Sequence, residues 1–583
     1  MRKILFVPFL VLLFLSCETT TVEDAKIAVS TEEFKTMLIV DIINPYTDKN
    51  ITTDTVEDLT NIKLTLASDK SVEIDGTSYL HSEIWSDLTY KAKSVYDSEL
   101  GTFVVALSLN APDPEENEYD LDLKVDFEGA DKMFAPTFKK LKINRSGIYK
   151  IDIYGVLLGG AGNNGITCAH NELELQNGIT QEEQVLQADD HEGFGSVRLT
   201  MPEGTELVDI NGSSLSGTIT THVGFFNNQD DESMTKGDGS LNSIPGGFKG
   251  KLNGEDVHLI LAGTSIVSIV DENNKHADKI NSSKSSTQMI MIVPPNTYNP
   301  NTQKNIADGD VISIFSLTPG SESWEYVEDQ VVFKEEYSEM LFVKFEINNA
   351  GYWTAAFNIP DYTPESAKPS IKVNGSLGQQ NTQQLDYVFS SPGYLYEFTY
   401  ETTAGVPFEI PQAIPANLPL NITISEQGSD ENIQSKNLPN GVTSETEIVF
   451  DDVNLEDHQT WEFIATGICE ESQVAIKPSG VPIYYSKYEI YDNENPSLNV
   501  LEENKHYAGV TANGTISING IDRNDTHYRF YVDYENIHEY LDMHFTDSTA
   551  AFLDKTEYIS NLNVSGTTVE VEVKAPDKIC KEF

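Results

Sequence analysis

Tyr119, Leu121, Leu123, Val125 and Phe127 alternate with Asp120, Asp122, Lys124 and Asp126. A period of two places the apolar side chains on one face of a strand and the charges on the other. The same code recurs near the far end, where Val569, Val571 and Val573 alternate with Glu570 and Glu572. Short apolar runs lie between, and turn residues bound them: Asn44-Pro45, Pro202-Glu203-Gly204, Asn211-Gly212, Pro294-Pro295, Asp308-Gly309 and Pro319-Gly320. Asn-Gly is a strong hairpin signal. No stretch sustains a heptad or a long amphipathic face, and only two short helices are expected, over residues 83–95 and 536–545. A strand with one wet face must bury the other against a second sheet, so the chain reads as all-β, built of tandem β-sandwiches. At 583 residues it exceeds a single core, and three to five domains are expected.

The punctuation divides the chain as follows. Residues 18–31 are polar and without period, a tether. Residues 32–155 form an Ig-like sandwich, with residues 147–154 as its closing strand. Gly159-Gly160-Ala161-Gly162-Asn163-Asn164-Gly165 and the acidic stretch behind it make residues 156–190 a linker. These glycines match no phosphate-binding fingerprint, since no Lys-Ser/Thr follows them. Residues 191–364 form a larger sandwich, residues 365–457 a third and residues 458–583 a fourth.

The first seventeen residues stand apart. Arg2 and Lys3 precede an apolar run from Ile4 to Leu15, and Ser16-Cys17 closes it. A run of about twelve residues is too short to span a bilayer, which takes roughly 20, and it suits a signal peptide. Phe14-Leu15-Ser16-Cys17 resembles the cleavage box of bacterial lipoproteins, in which a small residue precedes a cysteine that becomes lipidated. The resemblance implies a mature chain that starts at Cys17 and is held to a membrane by its N-terminal lipid. Glu18, Glu23 and Asp24 resemble the surface-export signals of some outer-membrane lipoproteins. Together these imply an outer-membrane or cell-surface location. The succession MPEGT, IVPPNT, DGDVISIFSLTPGSESWEY and LFVKFEINNAGYW is similar to a module of bacterial surface lipoproteins and some animal ectodomains. It implies an adhesion-type β-sandwich and carries no catalytic residues. The last two domains resemble Ig-like or carboxypeptidase-regulatory-like modules.

Charge narrows the partners. The formal net charge is −54, from 92 acidic and 38 basic residues. Such a surface repels phosphate backbones, which excludes nucleic acid as a partner. Of four cysteines, Cys17 is assigned to the lipid. Cys469 and Cys580 lie near the ends of the last domain and are a candidate disulfide in an oxidising compartment, with Cys168 left over.

Chemistry is sparse. No Gly-x-Ser-x-Gly occurs, and 212–217 has the wrong spacing. His538 and His544 are six apart, where a helical zinc site needs four; His538, Glu539 and Asp542 could share a helical face. Clustered acids in turns are candidate calcium ligands, with Asp308 and Asp310 the best pair, although no stretch fits a twelve-residue calcium loop. Otherwise no cofactor is expected. Tyr484, Tyr485, Tyr488 and Tyr491, beside Pro482, are candidate ligand-binding aromatics. Tyr394, Tyr396, Phe398 and Tyr400 share one face of a strand and read as core. The expected function is non-enzymatic: a surface lipoprotein that binds an extracellular glycan or protein, for adhesion or capture. A hydrolase of extracellular polymer and a structural stalk are the alternatives.

Overall fold

The structure, a computed structural model, describes residues 36–575 apart from internal stretches, the longest being 52–58, 86–101, 110–118, 159–165, 227–239 and 489–505. The signal segment, the tether and Cys17 lie outside the described residues. The fold is all-β, and a 3-10 turn at Ser240–Ser243 is the only helical element among the described residues. Two compact units divide the chain, one spanning residues 38–455 without 104–108, the other centred on residues 456–583.

The first unit begins with a four-stranded sheet, Thr137–Ile143, Tyr119–Glu128, Asn61–Ser68 and Ile84–Trp85 in that order. The alternating strand behaves as its period demands: Leu121, Leu123, Val125 and Phe127 are buried, and the charges between them are half-exposed. In a second sheet Thr36–Asn44 lies beside Gly147–Tyr154 and buries Leu38, Val40 and Ile42.

The middle of the unit packs a seven-stranded sheet on a five-stranded one. The five-stranded sheet orders Gln184–Asp189, Ser196–Met201, Thr287–Val293, Leu341–Ile347 and Phe333–Lys334. Met289, Met291, Val343 and Phe345 from it meet Ile260, Ile314, Trp353 and Ala355 from the other. Five strands of the larger sheet close on themselves. They are β1 (Lys249–Leu252), β2 (Glu255–Asp271), β3 (Val311–Leu317), β4 (Trp324–Val331) and β5 (Gly351–Pro360). β1 pairs with β2 and, in parallel, with β4; β4 pairs with β3, β3 with β5, and β5 with β2. The circuit is a small barrel. Val257, Leu259, Leu261, Phe315, Leu317, Trp324, Tyr352 and Ala356 fill it, as small barrels require.

Residues 156–190 were expected as a linker; the Gly-rich stretch 159–165 lies outside the described residues, and much of the remainder is strand. Val156–Leu157 pairs with Phe134–Ala135, Ile166–Glu174 with Thr218–Phe226 and Gln184–Asp189 with Ser196–Met201. The last two are end strands of their sheets, and an end strand carries polar side chains that read like a loop.

The third part of the unit sets a four-stranded sheet (Tyr394–Thr403, Thr382–Ser391, Leu420–Glu426, Asn432–Leu438) beside a three-stranded one (Phe408–Glu409, Ser370–Ser376, Glu447–Asn454). Tyr394 is buried, and Tyr396, Phe398 and Tyr400 pack partly buried against the core.

Both junctions within this unit are tight. At the first, Tyr352 Oη donates to Pro136 O at 2.6 Å and Gly246 N to Phe138 O at 2.9 Å. Ala135, Val156 and Leu158 join the barrel cluster there. At the second, one edge of β2 pairs with β1 up to His258 and with Thr218–Phe226 from Thr264 onward. In the interval Leu261 N donates to Gly393 O at 2.8 Å, and Phe248 meets Tyr394 with ring centres 5.7 Å apart. A single hydrophobic cluster continues from the middle sheets into the third part.

The second unit pairs two five-stranded sheets around Trp461, Phe463, Phe530, Met543 and Phe545. Of residues 536–545, expected to be helical, those from 537 on lie in the strand Ile537–Thr546, paired with Thr526–Tyr534. Their apolar residues Leu541, Met543 and Phe545 recur at two, not at three and four. Of residues 83–95, Ile84–Trp85 is a strand and the rest lies outside the described residues.

Candidate functional site

The barrel has one covered end and one open end. Tyr352, Leu317 and Trp324 lie at the covered end, against the first junction. At the other end a cleft of about 410 Å³ opens, lined by Leu252, Asn253, Asn301, Val311, Ser313, Tyr326, Asp329, Ala356, Phe357 and Asn358. Barrel mouths are a recurrent place for small-molecule sites, which occupy roughly 300–1,000 Å³.

Local rules place each polar group. β1 and β2 are joined by Asn253-Gly254, with φ of 55° and 85°. These are the left-handed values of a two-residue hairpin turn, which Asn-Gly favours, and the turn lifts Asn253 to the rim. Asn301 follows an Asx turn in which its N–H donates to Asn299 Oδ1 at 2.9 Å. Ser313, Asp329 and Asn358 come from β3, β4 and β5. A register shift at Ile314/Phe315 leaves Ser313 opposite Asp329 and Phe315 opposite Tyr326.

These side chains form a relay. Asn358 Nδ2 donates to Ser313 Oγ at 2.8 Å, and Ser313 Oγ donates to Asp329 Oδ1 at 2.7 Å. Tyr326 is half-buried, and its hydroxyl pKa is raised by that burial first, then by the Asp329 charge and hydrogen bond and by Glu328. It therefore stays a neutral donor in ordinary buffers. Asp329 is the only carboxylate in the lining, and the lining holds no histidine. A Ser-His-Asp relay lacks its base here, and sugar hydrolysis needs two carboxylates flanking one bond. The arrangement can bind and orient a guest.

The structure scatters the residues expected from sequence. Asp308 Oδ1 accepts from Lys334 N at 3.0 Å and Asp310 Oδ2 from Ala307 N at 2.8 Å. Both acids cap the turn leading into β3. Among the described residues no group of three or more His, Cys, Asp or Glu side chains is placed to hold a metal. Tyr484 and Tyr485 lie in the strand Pro482–Tyr488. Tyr484 is only 6% exposed, and Tyr485 packs on Tyr528 and Phe530 at 5.9 and 6.2 Å. The Tyr488 side chain and Tyr491 are outside the described residues. Asp542 is fully buried and bound in a two-point ion pair to Arg529, Nε–Oδ1 2.6 Å and Nη2–Oδ2 2.7 Å. Asp542 therefore cannot join His538 in a metal site. Cys469 is disulfide-bonded, and Cys580 lies outside the described residues. Cys168 is a free thiol donating to Leu157 O at 3.2 Å, and burial pushes its pKa up to about 12, far from a reactive thiolate.

No protein-family model matches the chain, and no curated protein matches it. Solved structures with detectable likeness include GBS52, a minor pilin of Streptococcus agalactiae, at 9% identity over 36% of this chain and 97% of that chain, TM-score 0.14. SpaC, a pilus adhesin of Lactobacillus rhamnosus GG, matches at 9% identity over 71% and 55%, TM-score 0.16. BcpA, the major pilin of Bacillus cereus, matches at 8% identity over 92% and 98%, TM-score 0.13. Scores this low carry no argument about fold or function, and both rest here on the chain's own residues.

Proposed function

We propose that this chain is a non-enzymatic cell-surface lipoprotein that captures an extracellular ligand at the mouth of its barrel. The observation that carries the reading is the cleft itself: a polar pocket on closed β-scaffolding, with a hydrogen-bonded relay and a single carboxylate. Rigid elements hold binding groups in place better than loops do. The lipid on Cys17 is the anchor in this reading, and a Cys469–Cys580 bridge is the staple of the last domain. Labelled residues 18–583 applied to intact cells and to matrix-coated surfaces test it. Saturable adherence, displaced by unlabelled protein and without release of product, is expected. Absence of saturable adherence, or release of cleaved polymer, contradicts it.

A stalk is the second reading. What favours it is the pair of hydrogen-bonded, apolar junctions that join three sheet pairs into one unit.

A further inference from the structure

From the chemistry of the cleft we infer that its guest is a neutral saccharide, seated between the Asn358–Ser313–Asp329 relay and the rim amides of Asn253 and Asn301. The inference rests on the capture reading above and names its ligand class. The lining holds three carboxamides, a hydroxyl, a phenol and one carboxylate, and no Lys, Arg or His. Each sugar hydroxyl is both donor and acceptor, and carboxamides offer both functions while a carboxylate accepts only. With one N–H of Asn358 and Oδ1 of Asp329 already engaged by Ser313, the relay holds these two groups in fixed orientation. That preorganisation lowers the entropy cost of binding. Tyr326 adds ring surface for the C–H face of a pyranose. A sulfated, phosphorylated or uronic ligand would meet no cation in the lining and a chain of net charge −54. At about 410 Å³ the cleft is near the small end of ligand sites and suits a mono- or disaccharide unit.

The test is a glycan array probed with residues 18–583, followed by titration calorimetry of the best uncharged hit against the parent, Asn358→Leu and Asp329→Asn. Asn358→Leu keeps the side chain's size and removes the carboxamide. Asp329→Asn keeps an acceptor for Ser313 and removes the charge. The expected result is selective retention of uncharged glycans, at least tenfold weaker binding by Asn358→Leu, and less than a twofold change in Kd between 50 and 500 mM NaCl. Both variants should keep the parent's near-ultraviolet circular dichroism, and if Asn358→Leu does not, Asp329→Asn carries the test with the same tenfold criterion. Retention of anionic or amine-bearing glycans only overturns the inference, as does a hit that neither variant weakens. A blank array beside saturable adherence to matrix overturns the sugar and leaves capture standing. A blank array without adherence removes both.

Discussion

Replacing Gly393 with alanine isolates the contact that joins the middle and third parts of the first unit. Gly393 has φ of +79°, and a Cβ built on it would lie 2.0 Å from Leu261 O and 3.0 Å from Leu261 N. No side-chain rotation relieves a clash with backbone, so the hairpin must retreat by more than an ångström. Retreat breaks the 2.8 Å bond from Leu261 N to Gly393 O and loosens Tyr394 from Phe248. Left-handed backbone costs an alanine about 1–2 kcal/mol. An unsatisfied buried N–H costs about 1–3 kcal/mol more. The lost ring contact adds about 0.5–1.5 kcal/mol. The sum is about 4.5 kcal/mol. Gly405 supplies the control: its φ is +76°, and a Cβ there meets nothing within 4 Å. Gly405→Ala should therefore cost only the backbone term, about 1–2 kcal/mol. Amide exchange in the strand Thr382–Ser391, read under conditions where exchange reports the opening equilibrium, gives both values directly. Costs for the two variants within about 0.5 kcal/mol, the usual scatter between independent sites, would refute the close junction.

The remaining predictions concern other places in the fold. Asp542→Ala leaves Arg529 buried without its partner and should cost about 3–5 kcal/mol, whereas Arg529→Met with Asp542→Leu should recover most of it; urea unfolding followed by Trp461, in the same unit, distinguishes the two. Asp209 holds Lys275 Nζ at 2.9 Å and the N–H groups of Asn211 and Ser213, and the Lys275 bond first, then the Ser213 bond, depress its pKa. Its contribution is therefore complete above the ordinary carboxylate range near pH 4 and is lost as pH falls through the depressed value. Asp209→Asn should accordingly lose less Tm than the parent between pH 7 and pH 3, and an equal loss contradicts this. Cys17→Ala should move the protein from the membrane fraction to the soluble fraction, and retention in the membrane contradicts the lipid anchor.

Fold class was legible because sheet faces write themselves into sequence with a period of two, as at 121–127 and 569–573. What could not be read is closure. The barrel depends on Gly250 meeting Trp324 and Val257 meeting Pro360, pairings 74 and 103 residues apart that no local pattern encodes. End strands were misread for a physical reason: Ile166–Glu174 is half-buried or exposed at every position after Ile166, and its polar second half differs little from a loop. Alternation does not separate Tyr484 from Tyr485, because both faces of their strand carry packed rings: Tyr484 is buried, and Tyr485 on the other face packs on Tyr528 and Phe530. In the cleft, the Asn253-Gly254 turn was a readable signal. Ser313, Asp329 and Asn358 are single polar residues on three strands, and only the barrel brings them together.

The most direct test of capture at the barrel mouth is hydrogen–deuterium exchange of residues 18–583 with and without a saturating amount of the best uncharged array glycan. Protection confined to the segments 249–254, 298–305, 311–314, 326–330 and 356–359 is the predicted result. Protection centred on Pro482–Tyr488, or elsewhere outside the mouth, would place the site on other residues and contradict the account.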